Sequence, residues 1–438
     1  MKEILFIVIA VSSIAMAVRL CIGGWRNAPA DALGFVYLLQ TVATRAQTDR
    51  LPGHLHLTSL ISFIVIGIAL LRWPPVERRK ASRRLETCLV CGFWLLQLFL
   101  TNTVASNGLR SLLEVAVVAI PVALVARYID RSGVIRLMQW LVWTALVQCG
   151  CALVEIWRGK PVWGYAKNAS GTADFVQSNN IVPTSIPRLE GATGHSILFG
   201  AVMVFGCVGL VFWRTRPVRH RVVLAVPLVG FLLLSGSRGA VLTLLALVAY
   251  WMLSPQVRIS FGARIIGGIT FLAIGYAAYS LIAEIVGEWQ ETGSYTNRSN
   301  ALKSLENLLG MDTHSVLLGH GWSSIPSLFD SNILRQTNEL RVVDNQYVST
   351  VATGGLVSLL VLVLIAVVGW RTGQVINRSL LLVIFIGCAF FDSLFWGPMI
   401  VMFSAAAGIG VRNGVKDESA VADPTAVVAL QLDKVPTR

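Results

Sequence analysis

Four charged residues stand where apolar segments begin or end, and their types suit the binding of a phosphorylated substrate. Arg188 lies in "SIPRLEGATGHSILFG" and Arg238 in the tight turn of "LLLSGSRGAVLTL". Arg298 opens the segment "RSNALKSLENLLGM", and Asp344 opens "VDNQYVSTVATGGLVSLL". A guanidinium binds phosphate oxygens with two parallel hydrogen bonds and keeps its charge. A neighbouring carboxylate can accept the proton of a hydroxyl, so the set suits transfer chemistry on an anionic substrate.

Each of these residues also has a purely structural interpretation. Arg188 and Arg298 could be ordinary loop arginines, and Arg238 an anchor at a membrane interface. Asp344 could be the N-cap of the helix that follows it. However, an arginine between two apolar helices is costly unless it meets an anion or water, so the four together favour a site. The long loops 157–193 and 288–346 contain no Asp-x-Asp pair, so we expect no metal ion. Arginines would then stabilise a pyrophosphate leaving group.

The elements that must hold these residues are membrane helices. The 438 residues are 55% hydrophobic and 13% charged, with a mean hydropathy of +0.68, which excludes a single soluble domain. Apolar windows long enough to cross about 30 Å of hydrocarbon predict an all-α polytopic membrane protein with about 12 transmembrane helices. The windows are 4–21, 57–73, 88–105, 111–127, 137–156, 194–213, 221–235, 239–253, 264–287, 347–370, 378–394 and 398–412.

The basic residues predict how these helices are oriented. Short loops rich in arginine and lysine lie on the cytoplasmic side when the amino terminus is cytoplasmic. These loops are 74–86, 127–136, 214–221, 254–264 and 371–378. The formal charge of +13 then reflects membrane orientation, and no nucleic-acid partner is expected. Both termini are predicted to be cytoplasmic, and the long loops 157–193 and 288–346 to be outside.

Other segments are predicted to be structural. The first window has no cleavage pattern and is expected to be a retained helix. Residues 29–45 are expected to form an interfacial helix capped by Asp31. Residues 298–311 place leucines on one face, as in an amphipathic helix within a structured outer loop. The acids Glu114, Glu155 and Asp392 within or near the windows are expected to be packing or interfacial residues, and Asp392 is the one to mutate.

The cysteines also point to packing. All seven cysteines lie in or at the edge of apolar windows, so the outer loops carry no disulfide framework. The Cys-x-x-Cys stretch at 88–91 has no second pair, as most metal sites require. Cysteine behaves readily as a small buried hydrophobe, which is the interpretation we adopt.

In order and spacing, the quoted stretches together with "LLGHGW" resemble the membrane core of the O-antigen ligase and polymerase superfamily, over about residues 185 to 370. The first five predicted helices match that family only in kind. The resemblance implies a bundle like that of the C-type glycosyltransferases, in the bacterial inner membrane with its active site facing the periplasm. It divides the chain into an amino-terminal region 1–157, a catalytic core 158–412 with the periplasmic loop 288–346, and a cytoplasmic tail 413–438.

The resemblance also implies roles for particular residues. The arginines of the family fall on Arg188 and Arg238 and, less firmly, on Arg298. The ligases have a histidine, proposed as general base, where this chain has Asp344, and an aspartate among arginines is expected to have a depressed pKa. The implied catalytic residues are Asp344, Arg188 and Arg238. The implied substrate-binding residues are Arg298, Asn345, Tyr347, His195 and His320, with His195 as the reserve base.

The expected function is glycan transfer from an undecaprenyl-pyrophosphate carrier, with inversion and without metal or cofactor. Because the Asp-Asn-x-Tyr pattern is more frequent in exopolysaccharide polymerases, we expect polymerisation of lipid-linked repeat units. One alternative is a ligase that transfers finished polysaccharide to lipid A core or to a protein. Another is a transporter of the lipid-linked glycan. Expected partners are the lipid-linked donor, the acceptor, membrane lipids and other polysaccharide-assembly proteins.

Overall fold

The computed structural model describes a helical chain. The described residues are 2–22, 27–48, 57–72, 84–104, 108–163, 179, 181–182, 186–213, 215–257, 293–335 and 343–409. These ranges contain α-helices and one short 3-10 helix, and no strand. The predicted window 264–287 and the tail 413–438 lie outside the described residues, as do parts of both long loops.

The described helices fall into three groups, separated along the chain by residues 159–195 and 254–292. The amino-terminal part contains α1 (Lys2–Ile22), α2 (Ala28–Thr48), α3 (Leu57–Arg72), α4 (Arg84–Val104), α5 (Leu109–Ala126) and α6 (Arg131–Arg158). The middle part contains α7 (Ser196–Phe212), α8 (Val218–Leu234) and α9 (Arg238–Leu253). The rest contains α10 (Gly293–Leu309), α11 (Thr313–Leu318), α12 (Ile325–Asp330), α13 (Gln346–Thr372), α14 (Val375–Phe390), a 3-10 helix (Ser393–Phe395) and α15 (Gly397–Gly408).

The apolar helices indicate a membrane-embedded protein. Within the described chain, four helical segments are long and apolar enough to cross a membrane: Leu85–Asn102, Leu109–Ala126, Arg131–Arg158 and Gln346–Thr372. Large apolar side chains point outward from three of these, since Phe99 is 65% exposed, Leu153 57% and Leu360 58%. Lipid tails solvate such surfaces without the cost that water imposes.

The apolar windows predicted from the sequence coincide with helices wherever the structure describes them. The largest difference is at window 137–156, where α6 begins six residues earlier, at Arg131. At window 378–394, α14 ends at Phe390, because the chain turns into the 3-10 helix before α15 begins. The total of about twelve spans stays a prediction.

The expectation that residues 29–45 form an interfacial helix is wrong. α2 packs against α6, α3 and α15, and its side chains Leu33, Val36 and Tyr37 are fully buried. Near its end, the Val42 carbonyl accepts a hydrogen bond of 2.9 Å from Trp163 Nε1, in the segment that follows α6. Because α2 begins beside the start of α6 and ends beside the segment after it, α2 crosses the whole bundle.

A buried carboxylate holds one end of this bundle together. Asp31, within the first turn of α2, accepts hydrogen bonds from Arg19 Nη2 at 3.1 Å, Arg136 Nε at 2.8 Å and Trp140 Nε1 at 2.8 Å. Asp31 is therefore an ion-pair partner and does not cap an interfacial helix. The end of α1, the start of α2 and the start of α6 meet at this carboxylate.

At the opposite end, α13 is kinked by a glycine. Gly355 has φ 64° and ψ −170°, which interrupts the helical hydrogen bonding. The carbonyl of Ala352 accepts instead from His320 N at 3.0 Å, and that of Thr353 from Gly321 N at 2.8 Å. The Gly-His-Gly segment therefore supplies the main-chain donors that the kink leaves missing.

This docking requires a close approach of two backbones. Gly319 has φ +71°, and a Cβ there would lie 2.5 Å from Gly354 N, so only glycine fits. Next to it, Trp322 N donates to Thr101 Oγ1 at 3.0 Å, and the Trp322 ring stacks on Phe395 at 4.2 Å. The "LLGHGW" stretch thus connects α13, α4 and the 3-10 helix.

α10 and α12 form a small core of their own with the first turns of α13. This core joins α10, α12 and the segment after α12 to the first two turns of α13. Its buried members are Ala301, Leu308, Leu328, Phe329, Leu334, Val343, Val348, Val351 and Ala352. The helix predicted from residue 298 is confirmed and begins earlier, at Gly293, but of its predicted leucine face only Leu308 is buried, and Leu302 and Leu309 are half-exposed.

The Asp31 contacts lead to a prediction about the amino terminus. Arg19 lies near the end of the 21-residue α1, so the start of α1 lies far from loop 127–136. We expect a reporter fused before Lys2 to lie on the opposite side of the membrane from a reporter in that loop, contrary to the cytoplasmic amino terminus predicted from the sequence. Paired labelling with an impermeant thiol reagent measures this.

A reporter at residues 215–217 provides the control for sidedness. This turn joins α7 and α8, at the same end as loop 127–136, and must give the same labelling as that loop. If the reporter before Lys2 is labelled together with these two positions, α1 does not cross the bundle as the Asp31 contacts require.

Candidate functional site

Arg188 is positioned by the turn between α8 and α9. Leu189 N donates to Leu234 O at 3.2 Å, and Arg188 Nε donates to Ser235 O at 3.3 Å. Gly236 has φ +62°, and a Cβ there would lie 2.7 Å from Arg188 Cγ. The side chain of Arg188 therefore lies across a glycine that has no room for a side chain. The two stretches "PRLEG" and "SGSRG" form one unit.

Arg238 is the first residue of α9. Ser237 caps this helix, because its Oγ accepts from Ala240 N at 3.4 Å. The turn is tight, as predicted, and places Arg238 at the helix end next to Arg188, whose charge it repels. The sequence prediction that these two arginines meet is consistent with this interaction.

Arg298 and Asn297 bring α10 into the same group. The Arg298 guanidinium carbon lies 5.4 Å from the ring centroid of Phe390, at the end of α14, a cation–π contact. Its Nε is buried and has no hydrogen-bond partner among the described residues. Asn297 Nδ2 donates to Asp344 Oδ2 at 3.0 Å. α10 therefore contributes one unpaired donor and one contact to the carboxylate.

The N-cap interpretation of Asp344 is wrong. The cap of α13 is Asn345, whose Oδ1 accepts from Tyr347 N at 3.0 Å and from Val348 N at 3.2 Å. Asn345 Nδ2 donates in turn to Ala389 O at 3.4 Å. Because the following residue does the capping, the Asp344 carboxylate is left for other contacts.

The expected pKa shift of Asp344 is also wrong in direction. Burial raises the pKa of this carboxyl, although the Asn297 hydrogen bond and the charges of Arg298 and Arg188 lower it. The sequence shows the arginines but not the depth at which the carboxyl is placed. A carboxylate with a raised pKa is a stronger base than an exposed aspartate.

Asp392 is a second acid in this group. It precedes the 3-10 helix and accepts a hydrogen bond from Trp396 Nε1 at 3.2 Å. Its pKa is raised to about 7, chiefly by burial and also by the charge of Asp344, while the Trp396 hydrogen bond opposes this. The sequence indicated only that Asp392 is an acid near a helix end, where burial costs free energy. The turn that follows α14 places Asp392 beside Asp344.

His195 lies at the edge of the site in a capping role. Its Nδ1 accepts from Ile197 N at 3.3 Å, so it is the N-cap of α7. Its ring packs against that of Trp396 with centroids 5.2 Å apart. His195 thereby contacts the residue that binds Asp392, and its expected role in substrate binding stays a prediction.

The remaining predicted residues are held by packing contacts. Tyr347 donates its hydroxyl to Phe385 O at 2.7 Å, inside the bundle. The backbone of His320 binds the kink of α13, and its ring Nδ1 is buried without a hydrogen-bond partner in the described chain. The substrate-binding roles expected of both residues stay predictions.

The site is electrostatically crowded with positive charge. The pKa of Arg188 is lowered to about 10, first by burial and then by repulsion from Arg238 and Arg298. Glu190 and Asp344 act in the opposite direction. A guanidinium repelled by two others, beside acids with raised pKa values, favours the binding of an anion.

A small apolar cavity of about 10 Å³, room for about one water molecule, lies directly beside this group. It is enclosed by α7, α9 and α14, just below Arg238 and below the ring that carries Arg298. Its lining residues are Ile197, Ala201, Val204, Gly239, Ala240, Thr243, Val383, Gly387, Phe390 and Phe391. The site therefore combines cationic donors with an adjoining apolar surface.

Comparison with known proteins gives no matching family model and no matching curated protein. The fold and the site define a helical, membrane-embedded protein with an arginine-rich site at one end of its bundle. Within the described residues, no group of three or more His, Cys, Asp or Glu side chains is placed to hold a metal ion.

The raised pKa of Asp392 predicts a pH dependence of stability. The folded state keeps the proton to about pH 7, whereas the unfolded chain loses it near pH 4. The unfolded state therefore binds fewer protons between these values, so the free energy of unfolding falls as pH rises from about 4 to 7. We expect Asp392→Asn to reduce this fall, measured as apparent melting temperature in detergent.

Asp312→Asn is the matched control. Asp312 is exposed, caps α11, and has a pKa lowered by the hydrogen bonds with Ser315. Its substitution removes a contribution present at higher pH, opposite in sign to that of Asp392. Equal pH slopes for wild type and Asp392→Asn would show that Asp392 is ionised in both states.

Proposed function

We propose that this protein is a membrane glycosyltransferase that takes a glycan from a polyprenyl-pyrophosphate carrier and joins it to another lipid-linked glycan. The observation that carries the proposal is the meeting of Arg188, Arg238, Arg298 and Asp344 beside an apolar cavity. The arginines suit the pyrophosphate, the apolar lining beside them suits a lipid carrier, and the carboxylate suits an acceptor hydroxyl. The resemblance of the motifs to O-antigen ligases and polymerases gives independent support.

The donor would be held through its pyrophosphate. Arg298 Nε is a buried donor with no partner among the described residues, which leaves it available for a phosphate oxygen. Arg188 and Arg238 repel each other without a ligand, and an anion between them would reverse this cost. As the bond from the anomeric carbon to the pyrophosphate breaks, the arginines stabilise the negative charge that develops on the leaving oxygens.

The acceptor would be activated by Asp344. An acceptor hydroxyl oxygen attacks the anomeric carbon on the face opposite the pyrophosphate, so the configuration inverts, and its proton passes to the carboxylate. The Asn297 hydrogen bond holds Oδ2, which leaves Oδ1 to meet the hydroxyl. Burial raises the pKa of Asp344, which makes it a better base than the sequence suggested.

The proposed placement follows from charge. About twelve helices cross the bacterial inner membrane, and the site with loop 288–346 faces the periplasm. Basic residues flank the opposite end of the bundle, at Arg216, Arg219 and Arg371. Such residues favour the cytoplasmic side. Other polysaccharide-assembly proteins would supply the donor and acceptor from that membrane.

A ligase is the second candidate, supported by His195. Its ring lies against Trp396, which binds Asp392, so a histidine adjoins the carboxylates, and it could serve as the base once Nδ1 leaves the cap of α7. Transfer would then go to lipid A core or to a protein.

A transporter of the lipid-linked glycan is less well supported. Transporters use broken helices whose free backbone groups bind ions or substrate. α13 is broken at Gly355, but the carbonyls of Ala352 and Thr353 are occupied by the Gly-His-Gly segment. The break therefore has a structural explanation.

Purified protein in nanodiscs tests the proposal directly. A lipid-pyrophosphate-linked repeat unit is supplied as donor and acceptor, and the products are resolved by mass spectrometry. We expect a ladder of longer glycans on the same lipid. Products only after addition of lipid A core would establish the ligase, and no product with either acceptor would exclude glycan transfer from this carrier.

Asp344→Asn separates catalysis from folding. Because the N-cap is Asn345, the variant should keep its melting temperature while transfer falls by about 100-fold or more, the usual effect of losing a general base. Asn345→Ala is the matched control and should lower the melting temperature through loss of the cap. Normal transfer by Asp344→Asn would remove the base role from this residue.

A further inference from the structure

The loop that carries Arg188 is held from below by polar side chains of α6. Glu155 is 3% exposed and Gln148 is fully buried, two helical turns apart on the same face of α6. The Glu155 carboxylate accepts from Glu190 N at 3.1 Å and from Gly191 N at 2.7 Å. The Gln148 Oε1 accepts from Ala192 N at 2.8 Å. Three consecutive main-chain donors are thus bound by one helix.

The loop conformation depends on this support. Gly191 has φ +58°, and a Cβ there would lie 2.7 Å from Gln148 Oε1 and 2.9 Å from the Phe199 ring. The loop therefore lies directly on α6 and α7. Trp163 also holds the loop, because its Nε1 donates to Ala192 O at 3.0 Å. The first of the bound amides belongs to Glu190, two residues after Arg188.

A carboxylate is better suited than an amide to this position. Both of its oxygens accept, and hydrogen bonds to an ionised acceptor are stronger than neutral ones. A glutamine at 155 would keep one accepting oxygen and present an NH₂ group in place of the other. The NH₂ group would point at a main-chain N–H, which would then have no acceptor. An unpaired buried donor is costly.

We propose that Glu155 is a positioning residue for the pyrophosphate donor, acting through Arg188. By fixing residues 190 and 191 it fixes the backbone from which the guanidinium reaches the site. The inference rests on the proposed function. It also gives the amino-terminal region a part in donor recognition, although no motif marks that region.

The test measures binding of undecaprenyl pyrophosphate to purified protein in nanodiscs, with transfer kinetics in parallel. For Glu155→Gln we expect about tenfold weaker binding together with a lower kcat, since the lost contact orients Arg188, which both binds the pyrophosphate and stabilises the charge that develops on it as the bond breaks. Gly191→Ala should give the same result. Glu155→Asp keeps the charge and should recover part of the affinity.

Glu86→Gln is the matched control. Glu86 is also buried and accepts a hydrogen bond from Thr372, at the far end of the bundle from the site. It should lose stability without losing affinity for the carrier. A loss of affinity equal to that of Glu155→Gln would show that general destabilisation explains both.

Measurements in the Arg188→Ala variant distinguish a failure of the positioning role of Glu155 from a failure of the proposed function. If Glu155 acts through Arg188, adding Glu155→Gln there should change affinity by less than about twofold, because the effects of coupled residues do not add. A full tenfold loss in that background would overturn the positioning role, and so would unchanged affinity in the single variant. Wild-type binding no stronger than that of Arg188→Ala would instead overturn the proposed function itself.

Discussion

The cost of placing guanidinium groups at the edge of an apolar helix array governs this structure. A charged side chain withdrawn from water is tolerated only where hydrogen bonds, aromatic faces or opposite charge compensate. The two ends of the bundle meet this requirement differently. At one end, Asp31 compensates Arg19 and Arg136 directly. At the other, Arg188 donates to a carbonyl, Arg298 lies over an aromatic ring, and Asp344 offsets part of the positive charge.

Glycines permit the close backbone contacts that the charged end requires. Gly236 makes room for Arg188, and Gly319 and Gly355 allow a loop to dock on a broken helix. Each has a positive φ, which other residues adopt only with strain. The glycine-rich appearance of the motifs therefore reflects backbone geometry, while the arginines and aspartates between the glycines carry the chemistry.

The sequence was informative where a pattern is local. Apolar windows predicted the helices, and the leucines after residue 298 predicted an amphipathic one. The helix over 29–45 was predicted, but its burial was not, because Asp31 and Gln40 lower its hydropathy and their partners Arg136 and Ser62 lie on other helices. Distant partners cannot be read from composition, since only the folded bundle brings them together.

The same limit applies to the site. The arginines were found because a charge between apolar segments is conspicuous. The sequence does not show whether Asp344 or Asn345 caps α13, because Asp and Asn are equally good N-caps. The backbone conformation selects Asn345. The pKa of Asp344 was expected to fall because burial is invisible in a sequence. The sequence does not indicate that Glu155 supports the site, because its partners are the backbone amides of Glu190 and Gly191 in another segment.

The kink in α13 separates two sets of contacts along that helix. The turns before Gly355 share a core with α10 and α12, and they are also tied to α14, whose Phe385 and Ala389 carbonyls accept hydrogen bonds from Tyr347 and Asn345. Asp344 precedes these turns, and its partner Asn297 belongs to α10. The carboxylate is therefore placed by α10 and α14 together, whereas Arg188 is placed by the turn between α8 and α9. The spacing of base and leaving group would then depend on how closely these two sets of helices pack.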